Sequence, residues 1–137
     1  MDFEKLLKYR NECSPYTLWC GIVTHDIKEG YAYLTKEIVA EDLNMFQNAH
    51  GGSIFALADT AAGAAAASHG FKSVTINCSY HYMRGAVLGD ILTAIARETK
   101  HGRTICVYEV EVKNQNDKLL GTGTFTYFMT DEPLPIE

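Results

Sequence analysis

The chain has 137 residues, of which 47% are hydrophobic and 21% are charged, and its formal net charge at pH 7 is -5. This length predicts one domain spanning residues 1–137, with enough apolar side chains for a globular core. An acidic chain without a basic face argues against a nucleic-acid partner, because phosphate binding needs clustered Lys and Arg. No charged-then-apolar leader opens the sequence, so we expect a cytoplasmic protein with no membrane association.

Neither the cysteines nor the histidines show the spacing of a metal site. Scattered cysteines without a C-x-x-C pair are typical of reduced thiols in a cytoplasmic protein, and they argue against a disulfide framework. The cysteines are Cys13, Cys20, Cys78 and Cys106. Apart from His50, which is discussed below, the histidines are His25, His69, His81 and His101.

The N-terminal segment has the pattern of a short amphipathic helix. Residues 2–12 alternate acidic, basic and apolar side chains, and Phe3, Leu6 and Leu7 form one apolar stripe. Ser14-Pro15 then ends the helix, since the residue before a proline avoids the helical region.

The next segment has a β-like pattern. Residues 18–40 contain two apolar-rich runs separated by the turn signal Lys28-Glu29-Gly30, which predicts two strands joined as a hairpin. Residues 41–50 follow as a polar loop that contains Asn44.

The stretch from Asn44 to His69, NMFQNAHGGSIFALADTAAGAAAASH, holds one unusual residue. Between His50 and His69 the single ionisable side chain is Asp59, in a helical segment that is otherwise apolar on every side. Such a helix is expected to be enclosed by other structure and to end near Gly70. A carboxylate there must find partners that offset its desolvation, which makes Asp59 the first candidate for chemistry.

Two glycines precede this helix. Gly51 and Gly52 lie where the helix begins, with Ser53 as the expected cap, so free backbone N–H groups can approach a ligand closely. At the positive end of the helix dipole they suit a carbonyl oxygen that gains negative charge. Asp59 lies about two turns further along, so a partner subunit is expected to supply the other half of a shared site.

The segment after Gly70 alternates at the period of a strand. One face of this strand is predicted to be apolar and the other to carry short polar groups. The apolar set is Val74, Ile76, Cys78, Tyr80 and Tyr82, and the polar set is Thr75, Asn77, Ser79 and His81.

Three further strands are predicted over residues 90–100, 103–113 and 118–129. Polar turn sequences at 100–103 and 114–117 favour hairpins between them. The tail with its two prolines, Pro133 and Pro135, is predicted to be loose.

The predicted order is a short helix, two strands, a long apolar helix and four strands, which defines an α+β protein. A helix buried on all sides needs a sheet curled around it. Its remaining side would need cover, which a second copy of the chain could give.

Several motifs in register resemble the hotdog-fold acyl-CoA thioesterases of the phenylacetate-pathway type. They are Leu43-Asn44, His50-Gly51-Gly52, Leu57-Ala58-Asp59-Thr60, and the strand from Val74-Thr75 to Tyr82-Met83-Arg84-Gly85. The resemblance spans nearly the whole chain. It implies a hotdog fold, with a long central helix wrapped by a curved antiparallel sheet and preceded by a short N-terminal helix. It also implies hydrolysis of an acyl-CoA to free acid and coenzyme A by a homodimer or a dimer of dimers (homotetramer).

The same resemblance implies roles for four residues. The N–H of Gly51 would polarise the thioester carbonyl, and Asp59 of the other subunit would act as nucleophile or as general base. Asn44 and His50 would bind and orient the thioester or the attacking water. Such chemistry needs fixed dipoles and a carboxylate, so no metal and no further cofactor is expected.

The strand after the helix would add a hydroxyl. Thr75 is the best match for it, with Asn77 expected next on the same face. Gly52, Arg84 and Arg103 are the remaining candidates for substrate contacts, the arginines for the phosphates of coenzyme A. The family usually has proline after the strand arginine, whereas this chain has Gly85, which alters the local loop.

An apolar pocket for an aryl or medium-chain acyl group is expected near Phe55, Tyr80 and Tyr82. Purely structural interpretations stay open for several candidates. Asp59 could be a helix carboxylate satisfied by backbone or arginine contacts. His50 could brace the loop or the glycine turn.

Three other functions compete with hydrolysis of an acyl-CoA. An α/β-hydrolase esterase needs a G-x-S-x-G elbow and a longer chain, and this sequence has neither. A hotdog dehydratase or hydratase would use a different Asp/His placement. A non-catalytic module that senses acyl-CoA could keep the fold while losing the carboxylate or the polar loop, and this chain retains both Asp59 and Asn44.

Overall fold

The computed structural model describes residues 1–136, in three α-helices, one short 3-10 helix (Ala40–Asp42) and six strands. The helices are α1 (Phe3–Glu12), α2 (Pro15–Trp19) and α3 (Gly51–Ala67). The strands are β1 (Ile22–Lys28), β2 (Tyr31–Glu37), β3 (Phe71–Tyr82), β4 (Ile91–His101), β5 (Ile105–Lys113) and β6 (Leu119–Pro133).

All six strands form one antiparallel sheet in the order β1-β2-β4-β5-β6-β3. The long helix α3 packs against every strand of this sheet. Alanines such as Ala58, Ala61, Ala62 and Ala65 are fully buried at that contact, so the sheet can approach the helix closely. The α+β class and the hotdog arrangement, a central helix wrapped by a curved sheet, are therefore confirmed.

The N-terminal region contains one helix that the sequence pattern predicted and one that it did not. Asp2 caps α1 by accepting the Lys5 N–H at 3.2 Å, and Leu6 is buried beneath it. Pro15 ends the first helix as expected but also begins α2 at its first position, where a missing N–H costs nothing. The predicted hairpin is confirmed, and Gly30 turns it with a φ of +69°.

The single chain covers α3 on one side. A stripe of its residues remains partly exposed, and these residues recur every three or four positions along the helix. They are Gly52, Phe55, Ala56, Asp59, Thr60 and Gly63. None of the helices among residues 1–136 is long and apolar enough to cross a membrane.

The strand β3 lies at one edge of the sheet and contains an irregularity that the sequence pattern missed. Thr75 pairs with Tyr127 and Asn77 with Thr126, so a bulge separates two residues expected to share a face. Because directly paired residues point to the same side, Thr75 faces α3 and Asn77 faces away from it. The prediction that Asn77 follows Thr75 on one face is wrong.

The same bulge breaks the predicted apolar face of β3. Val74 pairs with the partly exposed Phe128, whereas Cys78 pairs with the buried Phe125. The alternation therefore changes sides along the strand. Val74 and Ile76 are 56% and 53% exposed, so the edge of the sheet carries apolar side chains.

The C-terminal tail is ordered up to residue 136. Strand β6 continues to Pro133, and the Leu134 N–H donates to the Gly70 carbonyl at 2.9 Å. Leu134 and Ile136 also pack against the core. The prediction of a loose tail is wrong for residues 133–136, and Glu137 lies outside the described residues.

Candidate active site

The carboxylate of Asp59 has two hydroxyl partners. Its Oδ1 accepts the Thr75 hydroxyl at 2.8 Å and the Tyr127 hydroxyl at 2.7 Å. The Tyr127 oxygen also lies 2.8 Å from the Asp59 carbonyl oxygen. All three side chains line a cavity of about 770 Å³ between α1, α3 and β3. Asp59 therefore faces a space large enough for a ligand rather than a closed core.

A cation stands on the same cavity wall. The Arg10 guanidinium donates to the Thr60 carbonyl at 3.2 Å, one turn of α1 after the buried Leu6. Burial lowers the pKa of Arg10, while the negative charge of Asp59 acts in the opposite direction. The positive charge of Arg10 thus lies within electrostatic reach of the Asp59 carboxylate.

Tyr127 is held as a neutral donor. Burial raises its pKa well above the ordinary value, and the neighbouring Asp59 charge raises it further. Gly63 leaves room for this phenol, since a Cβ at that position would come within 3.1 Å of the Tyr127 hydroxyl. Neither Tyr127 nor Arg10 was among the sequence candidates. A phenol in a buried strand needs a polar partner, which is the signal that could have found Tyr127.

The N-terminus of α3 is organised by His50 and not by the expected Ser53. His50 is the N-cap residue, and its Nδ1 accepts the Gly52 N–H at 2.8 Å. Ser53 instead donates its hydroxyl to the His50 carbonyl at 2.9 Å. The expected Ser53 cap is wrong, and the Gly52 N–H is not free. His50 therefore braces the glycine turn through its Nδ1, and its Nε2 remains available for another partner.

Gly51 keeps the free N–H that was expected of the glycine pair. Its N–H has no acceptor among residues 1–136, while its carbonyl accepts the Tyr82 hydroxyl at 2.9 Å. A second cavity of about 320 Å³ lies here, lined by Gly51, Ile54, Tyr82 and Arg84 among others. Arg84 is therefore close to the Gly51 end of the helix.

Asn44 shapes the loop that precedes α3. Its Oδ1 accepts the N–H groups of Phe46 at 2.9 Å and Asn48 at 3.2 Å. The same loop is anchored by Asp42, which pairs with the buried Lys36 ammonium at 3.0 Å. Within one chain, Asn44 therefore stabilises the loop by these two hydrogen bonds, and this loop leads to the Gly51 end of α3.

The structure divides the predicted residues into two groups. Thr75 and Asp59 meet directly, whereas Gly51 begins the helix on the order of 12 Å from Asp59 at about 1.5 Å per residue. The two groups line separate cavities. Arg103 belongs to neither, since it lines a third cavity of about 710 Å³ together with His69 and His101.

Comparison with known proteins defines the class. Residues 46–120 match the family described as the Thioesterase superfamily. The chain is 37% identical over 110 residues to the acyl-coenzyme A thioesterase PaaI of Escherichia coli strain K12, covering 80% of this chain and 77% of that protein. The chain therefore belongs to the thioesterase superfamily.

Solved structures agree with this assignment. The E. coli PaaI protein, from the phenylacetic acid degradation operon, superposes with a TM-score of 0.88 at 30% identity, covering 95% of this chain and 96% of that one. A Streptococcus mutans UA159 protein bound to acetyl CoA superposes with a TM-score of 0.79 at 35% identity. That match covers 82% of this chain and 91% of the other. The sequence resemblance to PaaI-type thioesterases is thereby confirmed.

Proposed function

We propose that this protein hydrolyses acyl-CoA thioesters to free acids and coenzyme A, with Asp59 as its catalytic carboxylate. The observation that carries the proposal is the placement of Asp59 on a cavity wall, where Thr75 and Tyr127 both donate to the same oxygen. Two donors on Oδ1 fix the carboxylate and leave Oδ2 directed to other partners. The acyl-CoA specificity of the E. coli relative and the acetyl CoA bound to the S. mutans protein support the substrate class.

The chemistry requires one base or nucleophile and one oxyanion donor. Acting as a base, Asp59 takes a proton from water while the water oxygen adds to the thioester carbonyl. Acting as a nucleophile, its carboxylate adds directly and forms an acyl anhydride that water then cleaves. In both routes the C–S bond breaks and the coenzyme A sulfur leaves as a thiolate that is then protonated. These steps use side chains and a backbone N–H, so the proposal includes no cofactor.

The Gly51 N–H is the proposed oxyanion donor. It is the first residue of a 17-residue helix, so the positive end of the helix dipole adds to its hydrogen bond. His50 supports this role by binding the neighbouring Gly52 N–H, which fixes the backbone of the turn. A preorganised donor of this kind is worth about 100-fold to 1000-fold in kcat.

A dimer would bring Asp59 of one subunit to Gly51 of the other. The separation of the two residues along α3 supports this shared site. A single thioester carbonyl cannot contact the Gly51 N–H and the Asp59 carboxylate of the same helix, because about two helical turns lie between them. The partly exposed stripe of α3 and the apolar edge strand β3 supply surface for the partner. We propose a homodimer on this basis, assembled further into a dimer of dimers.

Coenzyme A is proposed to bind near the Gly51 cavity. Arg84 lines that cavity and would face a phosphate of the coenzyme. Arg103 lines a different cavity of the same chain. It would contact the coenzyme only if the partner subunit brought its own Gly51 cavity close to this arginine. The contacts expected of Gly52 and Asn77 are less favoured, because the Gly52 N–H is occupied and Asn77 faces away from α3.

The acyl group is proposed to be aryl or medium-chain. Phe55 packs edge-on against Tyr80 with ring centroids 6.3 Å apart, and Tyr80 packs edge-on against Tyr82 at 4.7 Å. Tyr82 also borders the Gly51 cavity. Aromatic walls of this kind favour a flat or flexible apolar group.

Release of free thiol from a panel of aryl and aliphatic acyl-CoAs tests the proposal. We expect Asp59→Asn to lower kcat by about 100-fold or more, the scale of a lost acid–base group. Asp26→Asn is the matched control, because Asp26 lies on β1 with a side chain that is 45% exposed. It should leave turnover unchanged.

The panel also separates hydrolysis from the alternative functions. Binding of acyl-CoA without turnover of any member would support a sensing module and overturn the proposal. Turnover that survives Asp59→Asn would keep the enzyme but remove Asp59 from its chemistry. The pattern of kcat/KM across the panel would rank the acyl groups.

A further inference from the structure

Three side chains that commonly ligate metals converge at the C-terminal end of α3. His69 follows the last turn of the helix, and Glu98 and His101 lie on β4 beneath it. One donor atom from each lies within 4.8 Å of the other two. The spacing in the chain hides this cluster, because His69 and Glu98 are 29 residues apart.

The three groups are in contact with one another. His69 Nε2 lies 2.7 Å from Glu98 Oε2, and the His69 and His101 rings stack with centroids 3.7 Å apart and planes 12° apart. His69 and Glu98 are 8% and 15% exposed, whereas His101 reaches the surface. The cluster is thus anchored on its inner side and accessible on its outer side.

An outer hydrogen bond fixes the carboxylate. The buried Tyr108 hydroxyl donates to Glu98 Oε2 at 2.7 Å. Gly30 packs against the Glu98 stem so closely that a Cβ there would come within 2.9 Å of it. Supporting partners that orient a ligating side chain are typical of metal sites.

Two features of the backbone favour a cation at this position. A β-bulge between Glu98 and Lys100 changes the alternation of β4, which places Glu98 and His101 on one face. Without it, residues three apart on a strand would point to opposite faces. In addition, the C-terminal end of the 17-residue α3 carries the negative end of the helix dipole.

We propose that His69, Glu98 and His101 bind one divalent transition-metal ion. Two imidazole nitrogens and one carboxylate oxygen suit zinc, with water as a fourth ligand. The exposed His101 ring would turn out of its stack on His69, so that both nitrogens point at the ion. The ion would take the place of the direct contact between His69 Nε2 and Glu98 Oε2 and would tie the end of α3 to β4. His69 and His101 line a different cavity from Asp59, and the proposed site does not depend on thioester hydrolysis.

Zinc titration of chelator-treated protein by calorimetry tests the site. We expect one zinc per chain, and a loss of affinity of at least tenfold in His101→Gln, whose exposed side chain can be replaced with little risk to folding. Tyr108→Phe should lower zinc affinity by about 10-fold to 100-fold through loss of the outer hydrogen bond. His81→Gln is the control, since His81 lies on β3 and should leave zinc binding unchanged.

Cobalt(II) absorption tests whether the exposed thiols bind the ion in place of the proposed ligands. Tetrahedral cobalt on nitrogen and oxygen ligands should show visible bands without a thiolate charge-transfer band in the near ultraviolet. Equal zinc affinity in wild type and His101→Gln would overturn the proposal, and so would a thiolate band. Thermal unfolding of each metal-free variant verifies that it is folded, and the readout is independent of turnover.

Discussion

The Tyr127 hydroxyl lies 2.7 Å from Asp59 Oδ1, joining the buried strand β6 to the central helix at its one carboxylate. These residues are 68 positions apart in the chain. Burial and the Asp59 charge both raise the pKa of Tyr127, so this phenol stays a proton donor through neutral pH. The carboxylate is therefore oriented by a side chain from the core as well as by Thr75 from the sheet edge.

Tyr127→Phe should lower kcat while the fold is retained. A hydrogen bond to a charged group contributes about 1.5–3 kcal/mol, which corresponds to roughly 10-fold to 150-fold in rate if it is used in the transition state. Thiol release measures the loss, and circular dichroism verifies the fold. Tyr108→Phe is the matched control, because Tyr108 is a buried phenol that contacts Glu98 instead. Equal kcat in the two variants would contradict the role of Tyr127.

Buried tyrosines should make the protein less stable in alkali. Burial is the largest cause of the raised pKa values of Tyr80, Tyr108 and Tyr127. Below about pH 10, the ordinary tyrosine pKa, their contribution to stability is fully present. Above it the unfolded chain releases protons that the folded chain keeps, so the free energy of unfolding falls as pH rises.

Urea unfolding between pH 8 and 11 measures this slope. Each such tyrosine contributes up to about 1.4 kcal/mol per pH unit above its unfolded pKa. Tyr108→Phe should therefore show a shallower decline than wild type. Parallel curves for wild type and variant would contradict the assignment.

Gly63→Ala should impair catalysis without unfolding the helix. Alanine is favoured over glycine in a helix interior by about 1 kcal/mol, but its Cβ would press on the Tyr127 hydroxyl at 3.1 Å. We expect kcat to fall by about tenfold, less than the roughly 100-fold effect of a 1 Å misplacement. In a Tyr127→Phe background the same substitution should have no further effect, and an additive loss would show that the hydroxyl is not its cause.

The buried Lys36 should be important for the loop that leads to α3. Its side chain is 2% exposed, and its ammonium pairs with Asp42, whose side chain is 12% exposed. Lys36→Met leaves that carboxylate without its partner and should cost about 3–5 kcal/mol in the free energy of unfolding. Lys28→Met is the surface control, expected to cost under about 1 kcal/mol. Similar urea midpoints for the two variants would contradict the buried pair.

Much of this fold was predictable because its elements have strong local patterns. The apolar helix over Gly51–Ala67, the hairpin at Gly30 and the three C-terminal strands each follow from periodicity and turn residues. The short helix Pro15–Trp19 did not, since five residues show no period. The bulge at Thr75 was also hidden, because one extra residue in a strand leaves the composition unchanged.

The candidate site was only partly predictable. Asp59 could be chosen from the sequence because a lone carboxylate in an apolar helix is unusual. Its partners Tyr127 and Arg10 come from distant elements, and nothing local distinguishes them from other core or surface residues. The stacking of His69 on His101 was unpredictable for the same reason, because tertiary packing alone brings the two rings together.

A site that combines Gly51 of one subunit with Asp59 of the other can be tested by mixing subunits. Gly51→Pro removes the proposed oxyanion donor with little disturbance, because proline is tolerated at the first helical position and His50 already has the ψ of 136° that a following proline requires. Asp59→Asn removes the carboxylate. Each variant alone should be nearly inactive.

When the two variants are co-expressed and the mixed dimer is isolated, one of its two sites should combine an intact Gly51 with an intact Asp59. We expect thiol release to return to about half the wild-type rate per dimer. A mixed dimer as inactive as its parents would mean that each site draws both residues from one chain, which would contradict a site shared between subunits.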